Sequence, residues 1–344
     1  MPKHILYYHL VDTTFLIKDE EILKSHYRVY SFFFHRSTGW KFIGKNIVAT
    51  IRMLWLLPRV DAFFTWFADY HALLPVILFK IFGKKSYVVV GGYDAAKNVY
   101  LDYGAHLSPF RSKVIRFICM HAYRIIPVSS FSQNELFDSI GTDMKSKSRV
   151  IFNGVDPKEF YFSNKQPREN IAVMIAGDKD DNVFKRKSAD IFVDVAKAMP
   201  GYRFLLIGLV NRERASFQHI KNLEVLPWLE PEAIRAKLEK AKIICQWSRY
   251  EAFGIVLIEG MMCGCTPVCY QFGGTMEIVD RSIGYVTHEL NIDSLCDTLH
   301  KAFQNPVEPQ KIRDYAIEHF SISRREQALI DLISCAGRNN QITK

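Results

Sequence analysis

Ser248-Arg249-Tyr250-Glu251-Ala252-Phe253-Gly254-Ile255-Val256-Leu257-Ile258-Glu259-Gly260-Met261-Met262-Cys263-Gly264-Cys265-Thr266-Pro267-Val268 is the stretch whose reading decides the fold of this chain. The apolar, β-branched run Ile243 to Gln246 ahead of it predicts a strand, and Thr266 to Tyr270 predicts the next. Between them the sequence reads as a tight loop and a helix. Glu251 then falls in the loop and Glu259 on the second turn of the helix, so the two carboxylates reach different parts of one extended ligand. Backbone amides around Phe253, Gly254 and Ile255 open that helix, and its positive end suits a diphosphate. A carboxylate has two acceptor oxygens to offer the vicinal hydroxyls of a ribose or hexose. Simple solvation explains Glu259 poorly, because Val256, Leu257 and Ile258 beside it are apolar.

The same alternation runs outward in both directions. Ile5 to His9, Val29 to Phe34, Ala62 to Trp66, Tyr87 to Val90 and Ile125 to Val128 are strand-like runs separated by helical patterns. Ile171 to Ile175 and Arg203 to Ile207 continue the design, with helices over Ser188 to Ala198 and Pro231 to Ala241. Alternation of this kind predicts an α/β chain of parallel sheets covered by helices. The turn formers Asn153-Gly154-Val155-Asp156-Pro157 and the polar segment Ser163 to Asn170 mark a linker, with a hinge near 157–170. Two doubly wound domains facing a central cleft are expected, with function in the loops at the carboxyl ends of both sheets. Short-period repeats and low-complexity segments are not evident.

Composition excludes several classes. The chain has 344 residues, 49% hydrophobic and 24% charged, which is globular rather than disordered. Its seven cysteines, Cys119, Cys245, Cys263, Cys265, Cys269, Cys296 and Cys335, lack C-x-x-C pairs and favour neither a disulfide framework nor a zinc cage. Cys263, Cys265 and Cys269 read as small buried thiols in an apolar segment. A reducing cytoplasm fits. The start, Met1 to Tyr8, reads as a first strand rather than an export signal, and apolar runs such as Leu73 to Phe79 stop well short of the roughly 20 residues that cross a bilayer. Residues 1–165 hold 22 lysines and arginines against 13 carboxylates, whereas 166–344 hold 23 of each. Basic residues in the first half are interleaved with large apolar ones, in Trp40-Lys41-Phe42-Ile43-Gly44-Lys45 and Arg52-Met53-Leu54-Trp55-Leu56-Leu57-Pro58-Arg59. That mixture suits anionic headgroups; a buried amphipathic helix with a solvated basic edge gives the same pattern. No nucleic-acid motif accompanies the charge, so nucleic acid is not an expected partner.

The pattern E-x7-E within S-R-Y-E-x-F-G-x-x-x-x-E-x-M-x-x-G-x-x-P-V resembles the retaining glycosyltransferases of family 4, which have the GT-B fold of two Rossmann-like domains. Gly273-Gly274-Thr275-Met276-Glu277-Ile278-Val279, Val128-Ser129-Ser130-Phe131-Ser132, Val150 to Asp156 and His319-Phe320-Ser321 extend the likeness over roughly residues 85–335. The resemblance implies an acceptor-binding domain over 1–160, a nucleotide-sugar-binding domain over 161–320, and a C-terminal helix over 321–344 crossing back to the first. It also implies that Glu259 binds the donor ribose, Glu251 orients the transferred hexose, and the amides of Phe253, Gly254 and Ile255 hold the diphosphate. A departing diphosphate needs fixed cations, and Phe184-Lys185-Arg186-Lys187-Ser188 resembles the family's basic segment, with Lys187 at the usual lysine. Ser188 stands where glycine is common. The companion arginine has no clear counterpart, and Lys185 or Lys179 is its expected replacement. No metal or other cofactor is expected; Asp178-Lys179-Asp180 spells the metal signature of a different glycosyltransferase fold, but lysines beside it supply the charge.

Two departures stand out. The family's His-Gly-x-Asp appears as Val90-Gly91-Gly92-Tyr93-Asp94, with Gly91 in place of the histidine, and His71, His106 and His121 are the imidazoles left to replace it. The glycine-rich turn after the first strand is replaced by Leu10-Val11-Asp12-Thr13-Thr14. The reading is a retaining, metal-independent hexosyltransferase acting on a glycan or lipid-linked acceptor in cell-surface polysaccharide or glycoconjugate synthesis, cytoplasmic and peripheral on the inner membrane face. The alternatives are a non-catalytic sugar-nucleotide or glycan binding protein with a degenerate site, and a membrane-surface scaffold. Trp228 is a candidate to flank the base, or a packed aromatic.

Overall fold

The computed structural model describes residues 2–9, 13–33, 40–163, 167–177, 181–209 and 216–335, without side-chain description at 33, 40–47, 181–182 and 335. The chain divides into two compact units, Met1–Phe152 with Arg325–Lys344, and Asn153–Arg324. The turn at 10–12 and the segment 178–180 lie outside the described residues.

The first unit contains β1 (His4–His9), α1 (Thr14–His26), β2 (Arg28–Phe33), α2 (Trp40–Leu56), β3 (Ala62–Trp66), α3 (Tyr70–Ile81), β4 (Lys85–Val90), α4 (Pro109–His121), β5 (Arg124–Pro127) and α5 (Ser130–Ile140). Its five strands pair in the order β2-β1-β3-β4-β5, all parallel. Every residue of β3 is buried, as expected for a strand covered on both faces, which is why it reads as an unbroken apolar run. Parallel crossovers are right-handed. The β1-to-β2 step runs one way along the sheet and the steps through β3, β4 and β5 run the other, which places α1 on one face and α2, α3 and α4 on the opposite one. One core cluster accordingly joins Met53 and Leu56 of α2, Val76 and Phe79 of α3, and Ile115 and Ile118 of α4 to Val88 and Ile125 of the sheet.

The second unit contains β6 (Glu169–Ile175), α6 (Asp181–Arg186), α7 (Ala189–Ala198), β7 (Arg203–Ile207), β8 (Leu223–Leu226), α8 (Pro231–Lys240), β9 (Ala241–Gln246), α9 (Ile255–Met262), β10 (Thr266–Tyr270), β11 (Tyr285–Thr287), α10 (Ile292–Gln304) and α11 (Pro309–Phe320). Its strands run parallel in the order β11-β10-β9-β6-β7-β8. The winding direction reverses between β6 and β9, the place where open α/β sheets bind ligands. Edge strands β8 and β11 escape a sequence reading because they are four and three residues long, too short to show a period. Helix α7 starts at Ala189 rather than Ser188, because Ser188 has φ 58° and ψ 35° in the left-handed region. That backbone explains why glycine is common there. Pro157 and Phe160, within or beside the expected hinge, give their carbonyls to Arg313, and Ser163 donates to Glu239, so this segment is tied to the second unit.

The last helix, α12 (Ile322–Cys335), brings Arg325 into the first unit. Arg325 Nε and Nη2 donate to the two Asp19 carboxylate oxygens at 2.6 and 2.7 Å, and Nη1 donates to the carbonyls of Ile151 and Phe152 at 3.0 and 2.9 Å. Trp66 Nε1 completes Asp19 at 2.8 Å. The side chains of Arg325 and Asp19 are only 2% and 0% exposed. Removing one partner of such a pair leaves an uncompensated buried charge. Arg325→Ala is therefore expected to lower stability in urea denaturation by about 3–5 kcal/mol, and a loss under about 1 kcal/mol would show that Asp19 is satisfied another way.

Candidate functional site

A polar cluster of the second unit forms where β6 and β9 end. Glu251 sits in the loop after β9 and Lys187 just ahead of α7, and their side chains are 13% and 14% exposed. Lys187 Nζ donates to Glu251 Oε2, and the same oxygen accepts from Gln246 Nε2 at 2.7 Å and Ser248 Oγ at 3.3 Å. All three of these bonds fall on Oε2, which turns Oε1 into the acceptor left for a ligand hydroxyl. Burial alone would raise the Glu251 pKa; the charges of Lys187 and then Arg186, with the hydrogen bonds from Lys187 and Ser248, overcome it and hold the carboxyl below its ordinary value. Burial pulls Lys187 below the usual lysine value, Glu251 opposes that pull, and Arg186 adds to it.

Three devices fix this loop. Arg249 makes a two-pronged bond to Asp190 of α7, 2.9 Å on each side, and its backbone amide donates to the Arg186 carbonyl at 2.8 Å. Gly254, at φ 112°, turns the chain into α9. Gly273 and Gly274 lie against the loop so closely that a Cβ on either would stand 2.4 Å from the Glu251 carbonyl oxygen or 2.2 Å from that of Ala252. Close backbone approach is thus the physical reason for the Gly-Gly-Thr signature.

The N-cap of helix α9 is Gly254, which has no side chain to cap the helix, so the amides opening its first turn are suited to an anion. Glu259 lies one turn on, partly buried, with no side-chain hydrogen bond or ion pair to another described residue. Burial, and behind it the like charge of Glu159, raises its pKa to about 7. Lys185 is exposed, and only its carbonyl takes part in the cluster, accepting from Arg249 and from the Ser188 amide. Arg186, which the sequence reading passed over, is the second cation beside Glu251 and Lys187, and its Nη1 donates to the Tyr250 carbonyl at 3.3 Å. It was hidden within a basic run, as were Gln246 and Ser248 among ordinary loop residues. Trp228 is 47% exposed on the loop after β8. Lys179 and the Asp178–Asp180 signature lie outside the described residues. Cys245, Cys263, Cys265 and Cys269 are buried free thiols, and no described group of acids, histidines and cysteines is arranged to hold a metal ion.

In the first unit the head of β4 is built around Asp94. The amides of Gly91 and Gly92 donate to its Oδ1 at 3.0 Å each and the Ala68 amide to its Oδ2 at 2.8 Å. Burial raises its pKa to about 6 against those amides. Phe67 lies in the left-handed region at φ 67°, an uncommon and strained place for a bulky residue. A Cβ on Gly91 would stand 2.5 Å from Phe67 Cε1. The phenylalanine ring thus occupies the place of any side chain at 91. Among the described residues the three imidazoles named above have partners of their own: His71 bonds Trp66 and Thr65, His121 stacks on Phe117, and His106 is buried against Ser112 with its pKa lowered to about 4, chiefly by burial.

Residues 163–319 match the family Glycosyl transferases group 1. An uncharacterized glycosyltransferase of Methanocaldococcus jannaschii is 25% identical over 188 residues, 53% of this chain and 50% of that protein. A human phosphatidylinositol N-acetylglucosaminyltransferase subunit is 25% identical over 163 residues, 44% of this chain and 33% of that protein. The chain thus spans half or less of the length of these relatives. Among solved structures, sucrose-phosphate synthase from Thermosynechococcus elongatus superposes with a TM-score of 0.80 at 14% identity, over 98% of this chain and 100% of that one. Anabaena HepE in complex with UDP and glucose superposes at 0.76 and 16%, over 97% and 100%. The two parallel-sheet Rossmann-like units are those of the GT-B fold, and the matches support a group 1 glycosyltransferase.

Two outcomes are expected. Glu259→Gln should raise stability above pH 7 and leave it unchanged near pH 4.5: the folded carboxyl holds its proton more tightly than the unfolded one, so stability falls as pH rises between those values, by about 3 kcal/mol. Thermal unfolding across pH checks the sign. Gly91→His should destabilise the first unit by about 1–3 kcal/mol through overpacking, and adding Phe67→Gly should recover most of the loss; additive effects would show that the two positions do not share space.

Proposed function

We propose that this chain is a retaining, metal-independent glycosyltransferase whose second unit binds a nucleotide diphosphate hexose and whose first unit binds the acceptor. One observation carries the reading: the Lys187–Glu251 pair stands beside the uncapped start of a helix whose second turn holds Glu259 without a partner among the described residues. In this reading the diphosphate lies at the amides of Phe253, Gly254 and Ile255, and Glu259 takes the ribose hydroxyls. Glu251 Oε1 accepts from a hydroxyl of the sugar. HepE's solved complex with UDP and glucose supports a nucleotide-sugar donor of this kind.

Transfer breaks the bond between the anomeric carbon and the diphosphate oxygen while the acceptor oxygen bonds that carbon on the same face. The acceptor's proton leaves with the diphosphate. Lys187 and Arg186 place fixed positive charge where the leaving group gains negative charge, so no divalent ion is needed, and the exposed Lys185 adds its charge from the surface. The proposed acceptor is a glycan or lipid-linked glycan of a cell-surface polysaccharide or glycoconjugate, and the named transferases among the relatives support that class. Unpaired cysteines support a cytoplasmic setting, with peripheral attachment to the membrane.

A second reading, a non-catalytic sugar-nucleotide binding protein, is favoured by the Phe67–Gly91 arrangement, which removes the side chain from the head of β4. Thermal stabilisation by a panel of nucleotide diphosphates and nucleotide sugars separates the two. One nucleotide is expected to raise the melting temperature, with the rise lost in Glu259→Ala. Glu251→Gln should keep binding and lose donor turnover at least ~100-fold. Binding without any transfer or donor hydrolysis in the unaltered protein would establish the second reading, and no shift with any nucleotide would overturn both.

A further inference from the structure

The outer surface of the α2, α3 and α4 layer has the wrong pattern for water. A helix on a soluble protein turns one stripe to the core and presents charged or polar residues outside. Helix α2 buries Met53 and Leu56, yet its opposite side exposes Val48, Ile51 (61%), Leu54 and Trp55 (63%), with Arg52 among them. The Arg59 guanidinium lies 4.0 Å over the Trp55 ring. On α3 the outward stripe is Leu74, Ile81 (71%) and the capping Phe82 (59%), with exposed Lys80. On α4 it is Phe110 (68%), Lys113, Phe117 and Met120. These residues recur at three- and four-residue spacing, so each helix has two apolar faces and only one of them meets the core.

The three stripes are neighbours. Residues of α2 (Ala49, Thr50, Met53) and α3 (Tyr70, His71, Leu74) line one small cavity between the helices, and the Tyr70 and Phe110 rings stack at 6.3 Å between α3 and α4. Charge is one-sided: α2, α3 and α4 together contain seven lysines and arginines and no carboxylate. The nearby Asp69 and Asp143 are matched by Arg111 and Arg116. Carboxylates instead gather on α1, across the sheet, as Asp19, Glu20 and Glu21, and on α5, which borders α4, as Glu135 and Asp138.

We infer that the outer face of α2, α3 and α4 lies on an anionic lipid bilayer, with Ile51, Trp55, Ile81, Phe82, Phe110 and Phe117 entering the headgroup boundary and Arg52, Lys80 and Lys113 at the phosphates. Large aromatic and aliphatic side chains set among cations, without acids, complement a surface that is apolar beneath and negative above. A soluble protein partner would meet the cations with carboxylates but would not call for three separate apolar stripes. The inference rests on the peripheral membrane placement proposed for the enzyme and is independent of the donor's identity.

The test is sedimentation of the full chain with vesicles of phosphatidylcholine containing about 30% phosphatidylglycerol, and with phosphatidylcholine alone, at low and high salt. Binding is expected to the anionic vesicles and to weaken at least ~10-fold in high salt. Ile51→Glu with Trp55→Glu, and separately Arg52→Glu with Lys113→Glu, should each reduce it at least ~10-fold, while Lys221→Glu with Lys301→Glu on the second unit should not. Among the described residues these side chains make no hydrogen bond or ion pair, Trp55 having the cation–π contact with Arg59, and all are exposed, so melting temperature should be unchanged; nucleotide-induced stabilisation, followed in parallel, reports on the donor site separately. A protein that stays in the supernatant with anionic vesicles, face variants that bind like the parent, or a dimer seen by light scattering and abolished by Trp55→Glu would each overturn the assignment.

Discussion

A carboxylate held mostly out of water must be answered by a cation and by hydrogen bonds, and the second unit is organised around meeting that demand at Glu251. Lys187, Gln246 and Ser248 converge on one of its oxygens. They come from the segment after β6, the end of β9 and the following loop, so the ion pair fixes two strand ends relative to each other at the reversal of winding. The bond between Arg249 and Asp190 ties the same two segments a second time. Desolvation makes the pair weak evidence for stability; its value is that one carboxylate oxygen is immobilised while the other remains unclaimed. Preorganised polar groups of this kind require little rearrangement when a ligand arrives.

Glu259 shows the opposite arrangement further along the same loop and helix. It has burial without compensation, and its pKa is raised to about 7. The two glutamates thus share a residue type and a helix-loop unit but differ in their surroundings: Glu251 is answered from within the protein, and Glu259 is left to be answered by something else. The first unit has its own local conflict, at Phe67. Its left-handed backbone and the bare Gly91 are one arrangement rather than two oddities, since the ring can lie there only when position 91 has no side chain.

Much of this was legible in the sequence, and for a physical reason. Strands buried on both faces are written as uninterrupted apolar runs, so β3, β7 and β10 were bounded as the structure shows them. Edge strands β8 and β11 were not, because partial solvation and shortness remove the period. The E-x7-E stretch placed Glu251 in a loop and Glu259 on a helix because a tight loop and an apolar helix leave few alternatives. Arg186 was missed since a basic run does not say which of its side chains turns inward. The Phe67–Gly91 exchange joins residues 24 positions apart whose relation exists only in space. The outward stripes of α2, α3 and α4 were half visible: the apolar and basic mixture was plain, but which apolar residues face the core is decided by the sheet.

The bond between Arg325 and Asp19 links positions separated by 306 residues. A ribosome therefore makes the acid long before it makes the base. At typical elongation rates of ~5–20 residues per second, Asp19 waits on the order of half a minute for Arg325. During that time the first unit has its strands and the Trp66 donor but no cation for the buried charge of Asp19, whereas the second unit, continuous from Asn153 to Arg324, has all its own pieces before Arg325 is added. All of the second unit is therefore synthesised before the buried charge of the first unit, made earliest, can meet its counter-charge.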